Sequence, residues 1–314
     1  MALRVAIQMD PLAGANFASD SSIRIAAEAG RRGAAVYFYE AKDLSWQNGR
    51  LTAPARRVQN LNPPETTYVA GDVETLDLGA MDVIWVRQDP PFDMAYIASL
   101  QLLELVADKV LVLNNPRSIR DAPEKMLVLQ FPDLTPPTLI TRDRKAVDAF
   151  RETHRDIIIK PLNGHAGHGV FHIGAGDENY TSALETLLAA NKEPLIVQRY
   201  LPEVRAGDRR ILLVEGEPVG GFARVPAAGE ARAAMRTGSR VEKLELTSRE
   251  REICAALGPV LRNMGLLFVG IDVIGGYLTE VNVTSPTGIA QAQKLDGVDV
   301  AALIWNAIEK RLRR

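Results

Sequence analysis

Two carboxylates and a carboxamide interrupt strongly apolar sequence in Gly270-Ile271-Asp272-Val273-Ile274-Gly275-Gly276-Tyr277-Leu278-Thr279-Glu280-Val281-Asn282-Val283. The β-branched flanks read as two strands, where a carboxylate is costly to bury unless something compensates it. Glu280 and Asn282 are two apart and therefore share a face. Whether Asp272 joins them depends on the turn. A two-residue turn at Gly275-Gly276 pairs Ile274 with Tyr277 and puts Asp272 and Glu280 on opposite faces. A three-residue loop that includes Tyr277 pairs Ile274 with Leu278 and sets Asp272 across from Glu280. The three-residue loop is the expectation. Two carboxylates and an amide oxygen on one face suit Mg²⁺, a hard ion that takes oxygen ligands and bridges phosphates. The alternative is a salt-bridged sheet surface facing solvent.

Composition narrows the class. A chain of 314 residues suggests about two domains with ample core. Its 24% charged residues, 37 basic against 39 acidic, leave no electrostatic footprint for nucleic acid or an acidic membrane. No apolar run approaches the ~18 residues of a membrane span. The opening run to Ile7 stops at Asp10-Pro11 and is too short for a signal-peptide core, so a cytoplasmic location is expected. A single cysteine, Cys254, excludes an internal disulfide and any all-cysteine metal site. It lies beside the apolar stripe of a helix and reads as a small core residue.

The first third alternates strand and helix. Strands are expected at Leu3–Gln8, Ala35–Tyr39, Met81–Val86 and Val110–Leu113. One helix runs from an Asp20 cap towards Arg32, with Ile23, Ala26, Ala27 and Gly30 on its inner face, and another starts at Asp93. That alternation argues for a doubly wound parallel sheet, with a polar irregular stretch between Tyr39 and Met81. A helix near Pro123-Glu124-Lys125 leads to a junction at Pro136-Pro137. Thereafter the pattern is α+β: strands at Thr138–Thr141, Ile157–Lys160, Val170–Ile173, Leu195–Gln198, Arg210–Val214 and Pro218–Arg224, helices at Arg144–Thr153 and Tyr180–Ala190, and a polar segment from Pro226 to Glu242. Thr247 and Glu250 fit a capping box before Ile253, Leu257, Val260, Leu261 and Met264, with Pro259 as an expected kink. The terminal Glu309 to Arg314 run reads as a solvated helix end.

The loop Pro161-Leu162-Asn163-Gly164-His165-Ala166-Gly167-His168-Gly169 follows a strand that ends in Lys160. Its glycines would let backbone N–H groups approach an anion, with the lysine as a point charge, but an ordinary glycine-rich hairpin fits as well. It is neither a P-loop nor a dinucleotide fingerprint. The cluster His165, His168 and His172 is not spaced for a metal, and a solvated or nucleotide-facing loop is the expectation.

Together these segments resemble the ATP-grasp ligases, and among them the bacterial glutathione synthetase family. The strings that carry the resemblance include Gln8-Met9-Asp10-Pro11, Arg87-Gln88-Asp89-Pro90-Pro91-Phe92-Asp93, Glu124-Lys125, Ile159-Lys160-Pro161-Leu162, Gln198-Arg199-Tyr200-Leu201, Gly207-Asp208-Arg209-Arg210 and Glu280-Val281-Asn282-Val283-Thr284-Ser285-Pro286-Thr287. The resemblance implies an ATP-grasp fold: an α/β, Rossmann-like pre-ATP-grasp domain over 1–122, a lid subdomain over 123–200 and a C-terminal α+β subdomain over 201–314. It implies ligation of γ-glutamylcysteine to glycine through an acyl phosphate, with ATP going to ADP and phosphate. It further implies Mg²⁺, or Mn²⁺ in its place, on Asp272, Glu280 and Asn282. Lys125 and Lys160 would hold the phosphates under a loop carrying Gly164, Gly167 and Gly169, and Gln198, Tyr200 and Leu201 would bind the adenine. Arg210 and Arg224 would face the transferred phosphoryl group, joined by the lid arginine Arg232. Arg87, Asn16, Ser21, Ser285 and Thr287 would meet the substrates. The family precedent is a homotetramer.

Three departures stand out. Arg232 is followed by Ala233-Ala234-Met235-Arg236-Thr237-Gly238-Ser239, without the asparagine and glycine pair of the family's lid. His165 and His168 replace small residues of the glycine loop. Ala290-Gln291-Ala292-Gln293 stands where the family usually has arginine-glutamate-x-glutamate. A related ligase with another acid or amine, or an ATP-binding protein without turnover, are the alternatives.

Overall fold

In the computed structural model, which describes residues 2–164, 167–227 and 238–313, three sheets follow one another along the chain. The first is built from β1 (Arg4–Gln8), β2 (Ala35–Tyr39), β3 (Ser45–Gln47), β4 (Arg50–Gln59), β5 (Val69–Asp77), β6 (Val83–Val86) and β7 (Leu111–Leu113), in the order β3-β4-β2-β1-β6-β7 with β5 on β4. The strands β2, β1, β6 and β7 are parallel, as expected. However, β3, β4 and β5 are antiparallel additions in the stretch read as irregular. Helix α1 (Ser21–Arg31) is capped by Asp20, whose side chain accepts from Ser22 and Ile23 N–H groups. Gly30 is exposed rather than inward, and Ile25 is buried instead. The helix packs on two sides, against the sheet and against α8 (Val300–Leu312), where Trp305 Nε1 donates to Ile25 O at 2.7 Å.

Helix α2 (Met94–Glu104) begins at its Asp93 cap. The helix expected near Pro123 is displaced. Asn115 caps α3 (Pro116–Asp121), with Pro116 in its first turn. Pro123 disfavours helical backbone at the residue before it, and Ala122 sits at φ −126°, ψ 66°. Lys125 therefore lies in a turn ahead of a short 3-10 segment at Leu127–Gln130.

The second sheet has the order β10-β9-β11-β8, from β8 (Thr138–Thr141), β9 (Ile157–Pro161), β10 (Phe171–Ile173) and β11 (Leu195–Arg199). Ile157 and Ile159 join the core formed with α4 (Arg144–His154) and α5 (Tyr180–Ala190), so the alternate residues Ile158 and Lys160 face away from it. The third sheet, β14-β13-β12-β15-β16, is antiparallel throughout: β12 (Asp208–Val214), β13 (Glu217–Val225), β14 (Arg240–Lys243), β15 (Phe268–Ile274) and β16 (Tyr277–Asn282). β14 overlaps the end of the segment read as polar, Pro226 to Glu242; residues 228–237 lie outside the described structure. Helix α6 (Ser248–Asn263) carries the complete Thr247/Glu250 capping box and keeps Pro259 inside it. α7 (Ile289–Asp296) follows the last strand. Among the described residues no helix is long and apolar enough to cross a membrane.

The first and third sheets share a core. Leu76 and Ile84 belong to the same apolar cluster as Ile271, Leu278 and Cys254. At the join, the buried Asn114 donates to both Phe268 O and Val283 O at 2.8 Å and accepts from Phe268 N at 3.0 Å. These contacts fix the ends of β15 and β16 relative to the first sheet.

Candidate active site

The turn between β15 and β16 is the two-residue one, not the expected three-residue loop. Ile274 pairs with Tyr277, and Gly275 and Gly276 both adopt positive φ, 56° and 77°, which suits glycine. Asp272 nevertheless pairs with Glu280, because the register shifts between Asp272 and Val273. Thr279 is the extra residue, and its Oγ1 donates to Asp272 O at 3.1 Å. A bulge thus reverses the face of Glu280 relative to Leu278, which stays in the core.

Register then writes a charged ladder across one face of the third sheet. Asp208 pairs with Arg224, Arg210 with Asp272, and Asp272 with Glu280. Arg210 Nη2 lies 2.7 Å from Asp272 Oδ2. Arg224 Nη2 lies 2.9 Å from Asp272 Oδ1 and 2.6 Å from Asp208 Oδ2. Asn282 Nδ2 reaches Gly270 O at 3.1 Å and Asp272 Oδ2 at 3.3 Å. From across the cleft, Lys125 and Lys160 Nζ approach Glu280 Oε1 at 3.6 and 4.0 Å, and Lys125 also donates to Gly164 O.

These contacts set the protonation states. Burial pushes the Asp272 carboxyl up, but Arg210 and then Arg224 outweigh it and hold the group well below the usual carboxylate range. Burial acts likewise on Glu280, and Lys125 and Lys160 bring it below its ordinary value. Asp208 behaves oppositely: burial raises it to about 7, with Arg224 pulling down and Asp272 adding to the rise. Burial lowers Lys160. Among the described residues, five carboxylates (Asp89, Glu124, Asp208, Asp272 and Glu280) and five cations (Lys125, Lys160, Arg199, Arg210 and Arg224) line this cleft. It is therefore formally neutral, and a polyanion entering it needs additional positive charge. Asp272, Glu280 and the Asn282 amide form an oxygen-donor set that fits a hard divalent cation. Among the described residues no cluster of three His, Cys, Asp or Glu could hold a metal, so an amide or ligand oxygen must complete such a shell.

The cleft, of about 520 Å³, lies between the second and third sheets, with Asp89 and Pro90 at its rim. Gly164, Gly167, Gln198, Tyr200 and Leu201 line it, as do Asn282, Ser285 and Thr287. His172 stacks on Tyr200, ring centroids 3.9 Å apart. Gly169 is not among the lining residues; at φ 70° it packs on Pro161. Arg87 is buried beside the cleft, Nε donating to Ser22 Oγ and Nη2 to Pro286 O, both at 2.9 Å. Ser21 is buried and accepts from Ile289 N at 3.3 Å, while Asn16 is exposed and accepts from Ala18 N at 3.1 Å. Arg232 and His165 lie outside the described residues. Sequence reasoning gave no role to Asp208 or Glu124. Asp208 was accessible, since it lies two residues from Arg210 on one strand and must share its face.

Comparison with known proteins decides the lineage. The family model described as prokaryotic glutathione synthetase, N-terminal domain, matches residues 3–120, and the ATP-grasp domain of the same family matches 124–297. The chain belongs to the prokaryotic glutathione synthetase family. It is 51% identical to the glutathione synthetase of Agrobacterium fabrum over 98% of this chain and 96% of that one, and 49% identical to that of Brucella melitensis over 99% and 100%. Among solved structures, the D-cycloserine synthetase DcsG aligns over 98% of this chain and 99% of its own, with TM-score 0.70 and 15% identity. The ATP-grasp ligase PsnB aligns at TM-score 0.64 and 18% identity over 98% and 99%. These distant likenesses give the ATP-grasp fold. As a member of the family, the chain is an ATP-dependent ligase of glutathione-synthetase type, and membership implies use of ATP with a divalent metal.

Proposed function

We propose that this chain joins γ-glutamylcysteine to glycine, with ATP going to ADP and phosphate. The observation that carries the reading is the convergence of two lysines, two arginines and the Asp272–Glu280–Asn282 set in one cleft. A carboxylate does not accept an amine at neutral pH, because oxide is a poor leaving group. Phosphorylation turns it into an acyl phosphate, and that transfer needs positioning and charge neutralisation rather than a protein nucleophile.

Asp272, Glu280 and Asn282 would hold Mg²⁺, or Mn²⁺ in its place, which when bound supplies positive charge to phosphate oxygens. Lys125 and Lys160 hold phosphates beneath the Gly164–Gly169 loop, and Gln198, Tyr200 and Leu201 hold the base. Arg210 and Arg224 offer guanidinium forks to the transferred phosphoryl group, and the lid arginine Arg232, outside the described residues, would join them. Arg87, Asn16 and Ser21 belong to the dipeptide end, Ser285 and Thr287 to the acyl end. Units of 1–122, 123–200 and 201–314, a homotetramer and a cytoplasmic location complete the reading; light scattering tests the assembly.

A related ligase with another acid or amine is favoured by one feature. Gln293 stands where the family usually has glutamate, and its Oε1 accepts from Arg24 Nη1 at 2.7 Å. An ATP binder without turnover does not need Arg210 and Arg224. Phosphate release with Mg-ATP, γ-glutamylcysteine and glycine, each omitted in turn, is the test. Release that requires all three, with glutathione seen by mass, supports the reading. Release with a different acid or amine favours the related ligase, and silence with γ-glutamylcysteine and glycine despite ATP binding overturns the glutathione reading and points to a different substrate pair or a lost activity.

A further inference from the structure

Glu124 is a carboxylate in this cleft that the roles above leave unused. Its backbone is held by Val281 N, which donates to Glu124 O at 3.1 Å, and its side chain by Thr284 Oγ1, which donates to Oε1 at 2.6 Å. Thr284 directly precedes Ser285, Pro286 and Thr287, so Glu124 stands where the ladder gives way to the acyl end. The other carboxylates are committed. Asp272 and Glu280 face cations and the metal position, Asp208 holds Arg224, and Asp89 is exposed at the rim, where it accepts from Ser285 Oγ at 3.2 Å. No hydrogen bond to Glu124 Oε2 is made among the described residues.

We propose that the Glu124 carboxylate binds the incoming amine as its ammonium and accepts the proton that the amine must lose before attack. The inference rests on the acyl-phosphate reading above. An ammonium ion has no lone pair. Transfer of one proton to Glu124 frees the pair, which forms the C–N bond at the acyl carbon. The bond from that carbon to the phosphate oxygen breaks, phosphate departs with the second amine proton, and Glu124 returns its proton to water. Burial raises the Glu124 carboxyl above its ordinary value, against the Thr284 hydrogen bond, which strengthens it as an acceptor.

Hydroxylamine tests this, because it is a neutral nucleophile at neutral pH and needs no base. Wild-type protein with Mg-ATP and γ-glutamylcysteine is expected to form the amide with glycine and the hydroxamate with hydroxylamine. Glu124→Gln is expected to lose glycine-dependent turnover by about 10²-fold or more while keeping hydroxamate formation within a few-fold. Glu124→Asp is expected to recover part of the glycine rate, and it carries the test if the amide variant does not fold. Equal loss in both arms would make Glu124 a support of the phosphate site and overturn the proposal, as would unchanged glycine turnover. Absence of hydroxamate from wild-type protein would instead overturn the acyl-phosphate reading itself.

Discussion

Arg210 and Asp272 are register partners on adjacent antiparallel strands, and the same pair forms a buried ion pair with Nη2 2.7 Å from Oδ2. Pairing fixes their backbones, so the guanidinium meets the carboxylate with little freedom left to lose. Asp272 is 3% exposed and Arg210 6%. Breaking such a pair from one side strands a charge in low dielectric, which typically costs about 3–5 kcal/mol. Arg210→Met should therefore lower the stability of the ligand-free protein towards that range, with Arg224 offsetting part of the loss. The double variant Arg210→Met with Asp272→Asn should regain stability relative to the single one. Urea unfolding of the three proteins checks this; equal midpoints for wild type and Arg210→Met would refute it.

Glu280 has a different task, facing Lys125 and Lys160 across the cleft. Glu280→Gln removes the anion from two buried lysines and a donor from the proposed metal position. Ligation should fall by roughly 10³-fold or more, as when a transition-state charge loses its partner. Circular dichroism should stay that of the folded protein, since the ladder retains Asp272 and Asp208. Near-normal turnover in this variant would remove Glu280 from the metal position.

Much of this site could be read from residue order because a strand has only two faces. The sequence places Asp272, Glu280 and Asn282 on one face, and they share it, though the reason differs: the glycine turn is tight and the bulge at Thr279 restores the pairing. A bulge leaves no mark in hydrophobic alternation, because Leu278 and Glu280 look like residues of one face. β5 was missed for a related reason. Residues 69–75 are exposed on both sides, so no period-two signal exists there. In β4 the buried residues Leu51, Ala53 and Ala55 do alternate, but Pro54 and the Arg56-Arg57 pair obscure it, and the register shift before Val58 moves that residue into another core. The role of Asn114 as a clamp rests on contacts more than 150 residues apart in sequence, which no local pattern encodes.

That clamp carries its own prediction. Asn114 satisfies two carbonyls and one N–H at the join of the first and third sheets. Asn114→Leu leaves those buried groups without partners, each costing about 1–3 kcal/mol when unsatisfied. The variant should lose about 2–4 kcal/mol in total after local relaxation, and ligand-free protein should show increased hydrogen exchange at Phe268. Unchanged stability would mean that backbone pairing in the third sheet suffices without the clamp.

Glu250 gives the acid limb of stability a defined origin. The residue is 1% exposed. It accepts from Thr247 N at 2.8 Å and from Arg209 Nη2 at 3.0 Å, outside the charged ladder. Burial raises its carboxyl, but the Arg209 hydrogen bond and the Thr247 N–H outweigh that and bring it below the ordinary 4.5. A carboxyl depressed in the folded state binds fewer protons there than in the unfolded chain, so its stabilisation is complete above the unfolded value and is lost as pH falls through the folded one. Glu250→Gln should therefore be less stable than wild type at neutral pH by about 1–3 kcal/mol, the worth of a hydrogen bond to a charged group. Below 4.5 the difference should shrink as wild type loses the same interaction. Unfolding midpoints measured across that range should converge at the acid end; curves that remain parallel would assign the acid sensitivity to other carboxylates.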